Sequence, residues 1–176
     1  FSFFSCKSFF QLKRMADCDF EVKSVDNVVL SGLKMDNIKN LSDLNFVQAG
    51  TIMKDFLSGK MPVNFNANVY VNNPNKKTAA VNKLEWILLI DDKQITDGVI
   101  TDRIEIPAKT KSLIPIKINI DLAKIFKGES RDKLLELGFN LKDIKSASSR
   151  LSLKIKPSIS IAGKDMLIPG YITVKP

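Results

Sequence analysis

From Met61 to Asn73 apolar and polar residues alternate strictly: Val63, Phe65, Ala67, Val69 and Val71 on one parity, Asn64, Asn66, Asn68, Tyr70 and Asn72 on the other. That period of two predicts a strand buried on one face. Asn73-Pro74-Asn75-Lys76-Lys77 ends it, because Pro74 has no amide donor and asparagine accepts turn geometry. The chain returns in a near-continuous apolar strand, Leu84–Ile90, then a polar turn over Asp91-Asp92-Lys93-Gln94 and a second strand over Ile95–Ile100. The same alternation recurs at Ile114–Ile120 and most cleanly at Leu151–Ile161, where Pro157 predicts an edge or a bulge. Asp19–Lys23 and Val28–Leu33, separated by an Asp26-Asn27 turn, read as a bent first strand or a hairpin. Met166–Ile168 and Tyr171–Val174 close the series around Pro169-Gly170. About seven short strands at this spacing predict an antiparallel β-sandwich of the fibronectin or immunoglobulin kind.

Two stretches change period. Residues 41–60 read as a helical insertion with Ser42 as cap, Gly59 and Pro62 as stop, and Phe46, Ala49, Met53, Phe56 and Leu57 as the apolar face. Such a face predicts a cover for an open edge of the sheet, or the roof of a ligand groove. Asp121 is placed to cap residues 122–127, and Ser130–Leu137 followed by Gly138 reads as a short helical crossover. Trp86 shares its parity with Leu84, Leu88 and Ile90, which makes it a core anchor rather than a platform for a sugar or a base.

The strand ending in Val71-Asn72-Asn73-Pro74-Asn75, the following strand that runs into Ile90-Asp91, and the short return carrying Gly98 resemble the WHy (water stress and hypersensitive response) domain of the group 2 late embryogenesis abundant proteins. Ile106–Ser112 and the alternating run after it are similar to that family's proline-containing turn and aliphatic strand. The resemblance covers roughly residues 19–174 and implies a small antiparallel sandwich without catalytic residues. In it Asn73, Pro74, Asn75, Asp91 and Gly98 serve as structural motif positions. The insertion at 41–60 departs from the plant members and looks like that of bacterial relatives.

Composition and charge narrow the function. The 176 residues carry 44% hydrophobic content, which suits one domain with a real core. The net charge of +8 favours anionic surroundings, but the lysines stand singly among apolar residues, as on solvated strand faces, and no basic run or Arg-aromatic pattern supports nucleic-acid binding. There is no histidine, so serine-histidine and cysteine-histidine catalysis are excluded and the commonest transition-metal ligand is missing. Asp91/Asp92, Asp17/Asp19 and Asp102/Glu105 remain as acidic candidates, and each has an ordinary place at a turn or a strand start. The sequence predicts no cofactor, no metal and no enzymatic activity.

Phe1-Ser2-Phe3-Phe4-Ser5-Cys6 reads as the trimmed end of an apolar leader, and it resembles a loose bacterial lipoprotein box with Cys6 as the lipid attachment site. Residues 1–18 are then leader remnant and tether, with Lys7–Ala16 open between a tether and a short helix, and residues 19–176 form the WHy-like domain. Cys18 is expected to be a half-buried small hydrophobe. The whole describes a non-catalytic lipoprotein of a bacterial cell envelope, stress-protective or binding, facing periplasm or exterior. A protein or polysaccharide partner is open, and an adaptor that recruits a partner through an exposed edge strand is the alternative.

Overall fold

The alternating runs become strands in a computed structural model, which describes residues 3–141, 151–161 and 164–174. In chain order the elements are α1 (Phe3–Ala16), β1 (Asp19–Leu30), β2 (Leu33–Lys34), a 3-10 turn (Leu41–Asp43), α2 (Phe46–Leu57) and β3 (Pro62–Asn72). Next come β4 (Ala79–Val81), β5 (Lys83–Ile90), β6 (Lys93–Ile100), β7 (Ile104–Ile106), β8 (Lys111–Asp121), α3 (Leu122–Ile125) and α4 (Arg131–Asn140). The described chain ends with β9 (Leu151–Ile161), β10 (Lys164–Leu167) and β11 (Ile172–Val174). The fold is mainly β, built of antiparallel sheets with few helices, the class of a β-sandwich as the alternation predicted. The strands outnumber the seven expected because β2, β4, β7, β10 and β11 are pieces of two to four residues.

Contacts divide the chain into two units. The first comprises, among the described residues, 3–22, 69–114, 151–161 and 164–174. Its main sheet runs β10-β9-β5-β6, with β11 also on β9, and β4 pairs with β7 in a small second ladder. α1 packs on β4 and β9, and buries Leu12, Met15 and Gln11. Trp86 sits in this sheet between Gly98 of β6 and Ile155 of β9 and is buried, as its parity predicted. Pro157 lies on neither an edge nor a bulge. β9 is an inner strand, paired over residues 151–158 to β5, while on its other side β11 pairs with residues 153–155 and β10 with 158–161. The proline falls in the gap between those two partners, where a missing donor disturbs the ladder least.

The second unit comprises, among the described residues, 23–68 and 115–141. The four-stranded sheet runs β2-β1-β3-β8, and within this unit it buries Val25, Val28, Leu30, Val63, Phe65, Ala67, Ile116, Ile118 and Ile120. β1 does not break at Asp26-Asn27. It continues through Asn27, which takes a φ of 52°, a left-handed value asparagine tolerates. Asp26 is instead a bonding partner for the next strand: its Oδ2 accepts from Asn68 Nδ2 at 2.6 Å and its Oδ1 from Asn66 Nδ2 at 3.1 Å. Those bonds explain why Asn68, on the polar parity of β3, is buried.

The helices correct three expectations. α2 starts later than Ser42: Asn45 is its cap, accepting from Gln48 N while Gln48 Oε1 accepts from Asn45 N, both at 2.9 Å. Ser42 belongs to the preceding 3-10 turn, capped by Asn40. Asp121 does not cap α3 with its side chain; its Oδ1 accepts from Met61 N at 2.8 Å and ties α3 to the start of β3. Gly138 does not end α4, which runs on to Asn140. A Cβ there would meet Leu30 at 3.4 Å, an ordinary van der Waals contact, so the helix passes through this position without needing a glycine.

Candidate functional site

The corner after β3 is where the first unit draws most polar side chains together. Asn73 is fully buried, its backbone N–H donates to Thr110 O at 2.9 Å, and its Nδ2 reaches three backbone carbonyls: Ile106 at 2.9 Å, Lys77 at 3.1 Å and Pro107 at 3.1 Å. Its Oδ1 accepts from Asn75 N at 3.0 Å and from Asn75 Nδ2 at 2.8 Å. Asn75 extends the lock, since its Nδ2 also donates to Arg14 O at 3.0 Å and its carbonyl accepts from Lys109 N at 3.2 Å. Lys109 Nζ donates to Pro74 O. A side-chain amide suits Asn73 because it offers two N–H donors beside an acceptor oxygen, whereas a carboxylate offers no donor and a hydroxyl only one.

Beside this corner opens a cleft of about 790 Å³ lined by residues 10, 11 and 14 of α1, by Lys76, Lys77 and Thr78, and by Glu105 and Ala108. Arg14 is held in place by its Nε donating to Thr78 O at 2.8 Å. Lys76 and Lys77 are exposed. The lining carboxylate, Glu105, is paired with Arg103 at 2.7 Å, and Arg103 also donates to Gln11 Oε1 at 3.1 Å. Three cations face one carboxylate that is already paired, so the cleft favours an anionic group. Its volume lies in the range of small-ligand sites, about 300–1,000 Å³. Sequence reasoning missed it. The Lys76-Lys77 doublet is visible in the chain, but Arg14 and Gln11 reach the cleft only because α1 folds back on β4.

The other motif positions lie elsewhere. Asp91 and Asp92 take φ values of 50° and 61° and form a two-residue hairpin turn between Ile90 and Lys93. Gly98 pairs with Trp86, whose indole lies over it. The structure thus brings Asn73, Pro74 and Asn75 together at the corner, and places Asp91 and Gly98 on the β5–β6 hairpin. Of the remaining acidic candidates, Asp19 Oδ2 accepts from Asn72 Nδ2 at 3.0 Å, and Asp102 is exposed. Cys18 is buried, with its Sγ donating to Arg14 O at 3.3 Å. Burial, with Asp17 and Asp19 nearby, pushes its thiol up to about 11, so it is a neutral, unreactive group near pH 7. Cys6 is in the backbone of α1, and its side chain lies outside the described residues. Among the described residues no three His, Cys, Asp or Glu side chains gather to hold a metal, and no helix is long and apolar enough to cross a membrane.

No family model matches the chain, and no curated protein matches it. Similar solved structures include a protein of Archaeoglobus fulgidus, at 10% identity over 65% of this chain and 82% of that one, with a TM-score of 0.36. A protein provisionally assigned as late embryogenesis abundant is similar at 14% identity over 98% of this chain and 84% of that one, with a TM-score of 0.39. A protein of Arabidopsis thaliana is similar at 18% identity over 87% of this chain and 77% of that one, with a TM-score of 0.38. Likeness at this level carries no argument about what this chain binds or does.

Proposed function

We propose that the chain is a non-catalytic, WHy-like binding module of a bacterial cell envelope, held at the membrane by a lipid on Cys6 and active in protection under water stress. The observation that carries the binding role is the cleft: Arg14, Lys76 and Lys77 line it, while Glu105 is tied to Arg103. The motif residues beside it support the non-catalytic reading, because Asn73 and Asn75 are engaged with the backbone and hold the rim in shape. An anionic polysaccharide segment is the ligand chemistry that fits an open, cationic cleft at an envelope.

The test combines binding and address. Lys76→Glu with Lys77→Glu should abolish retention on an immobilised sulfated polysaccharide and remove protection of a labile reporter enzyme through drying and rehydration, while the folded spectrum stays unchanged. Retention equal to the parent's would refute the cleft. Expressed with a bacterial leader, the protein should stay with membranes through a high-salt wash while Cys6→Ser is washed off; identical retention of the two forms after the wash would refute lipidation.

A second reading rests on β6, an end strand of its sheet with Val99 half exposed. An extended segment of another chain adds to such an edge through backbone bonds. One stoichiometric partner in a pull-down, lost on Thr96→Pro, would favour this adaptor over the polysaccharide module.

A further inference from the structure

α2 turns its apolar side outward. Phe46 is 93% exposed, Val47 74% and Leu57 77%, while the helix buries only Ile52. The other exposed large apolar residues among those described reach at most the 54% of Phe10. The expected inward face of Phe46, Ala49, Met53, Phe56 and Leu57 packs only in part: Met53 and Phe56 are half-buried, while Ala49 is exposed and Phe46 and Leu57 stand exposed on the side away from Ile52. At helical spacing Phe46, Gly50, Lys54 and Leu57 form a single stripe with Val47 on its flank. Its one charge is Lys54. The helix's carboxylate, Asp55, lies toward the packed side and is half-buried, and Lys60 is exposed just beyond the C-terminus.

The helix is well fixed in this orientation. The Asn45–Gln48 capping box fastens its start, and Ser58 N bonds Lys54 O and Asp55 O at its end. Such a helix displays its apolar ridge by construction.

We propose that α2 is a membrane-surface helix that lays Phe46, Val47 and Leu57 into the boundary between headgroups and acyl chains of an anionic lipid bilayer, with Lys54 among the headgroups. The charge pattern selects this occupant. A convex apolar ridge with a cation on it and no carboxylate on that side matches an anionic, deformable surface. The net charge of +8 acts in the same direction. A second copy fits poorly, because a two-fold pairing of the ridge would bring both Lys54 ammonium groups into one apolar seam with no carboxylate from the ridge to pair them. A ridge about 18 Å long and one helix wide also falls short of the roughly 800 Å² per partner that a stable dimer buries. The contact is separate from acylation at Cys6, so it stands or falls on its own.

The test uses the full chain carrying Cys6→Ser, sedimented with vesicles of phosphatidylcholine with and without phosphatidylglycerol. The chain should bind the anionic vesicles and bind the neutral ones more weakly. Phe46→Ser with Leu57→Ser should lower partitioning on the order of a hundredfold, and Lys54→Glu on the order of tenfold, with urea midpoints matching the parent's. The proposal is overturned if the double variant binds as the parent does, if neither vesicle binds, or if the chain forms a dimer that the double variant disperses.

Discussion

Gly98 is the position where one added carbon should measure the packing of the first unit. It faces Trp86 across the β5–β6 ladder, and a Cβ built there would lie 2.4 Å from Trp86 Cζ2, 2.7 Å from Cε2 and 3.1 Å from Nε1. Carbon atoms pack comfortably at about 3.5–4.0 Å, so the indole would have to move by about 1 Å. It has little room to do so, being 8% exposed and set between Gly98 and Ile155. Two effects of opposite sign meet in Gly98→Ala. Relief of glycine's chain entropy in a strand is worth about 0.5–1 kcal/mol in favour of alanine. Overpacking a filled core costs about 1–3 kcal/mol. At a separation of 2.4 Å the clash should win, leaving a net loss of about 1–2 kcal/mol. With a urea slope of about 2 kcal/mol/M this lowers the midpoint by about 0.5–1 M, read from the fluorescence of Trp86, the chain's one tryptophan. The decisive measurement repeats the substitution in Trp86→Phe, followed by circular dichroism, where the clashing atoms are gone and Gly98→Ala should be neutral or stabilising. A midpoint unchanged by Gly98→Ala, or an equal loss in both backgrounds, would refute the contact as the reason glycine is there.

Asn73→Ala should cost about 2–3 kcal/mol, and Asn73→Asp no less, because the carbonyls of Lys77, Ile106 and Pro107 lose a donor that a carboxylate cannot replace; thermal unfolding measures both. Cys18 should make stability fall with pH: its folded pKa of about 11 stands above the ordinary 9.0, so the stabilisation is complete below pH 9 and is lost as pH rises from 9 to 11. Urea midpoints across that window should show the fall in a Cys6→Ser background and a smaller one after Cys18→Ala. Asn45→Ala should loosen the start of α2 by about 1 kcal/mol, seen as faster amide exchange in residues 46–48 with the sheets unaffected. Alanine at Asp91, Asp92 and Asp102 should leave reporter protection intact, and loss of protection in any of these variants that stays folded would overturn the non-catalytic reading.

The sheets were legible because a strand with one buried face writes its environment in every second residue. β3, β5, β8 and β9 all fall where alternation or a continuous apolar run put them. Where a partner is broken rather than missing, the same code misleads. Pro157 looked like an edge residue because the rule describes a lost donor, and a gap between β10 and β11 accommodates that loss as well as an edge does. Asn68 misled for a related reason: polarity predicts exposure only if no partner waits inside, and Ser24 and Asp26 were forty-odd positions away in the chain.

Helix α2 shows the limit of apolar periodicity more sharply. The identities of Phe46, Met53 and Leu57 define a side of the helix, but only the neighbours decide whether that side is covered. Ile52 is held inside while Phe46 and Leu57 stand in solvent. The cap was a different matter, since Asn45 and Gln48 spell a capping box that was in plain view but lay three residues behind the more familiar serine. The cleft was hidden for a third reason. Its cations come from positions 14, 76 and 77, joined by the bond from Arg14 Nε to Thr78 O and by the bond from Asn75 Nδ2 to Arg14 O. The corner that resembles a family motif thus does two jobs in one place. It closes β3 onto the segment before β8, and it fastens α1 so that Arg14 stands beside Lys76 and Lys77. A substitution at Asn75 that spared the sheet should still displace Arg14, so binding in the cleft would be lost before stability is.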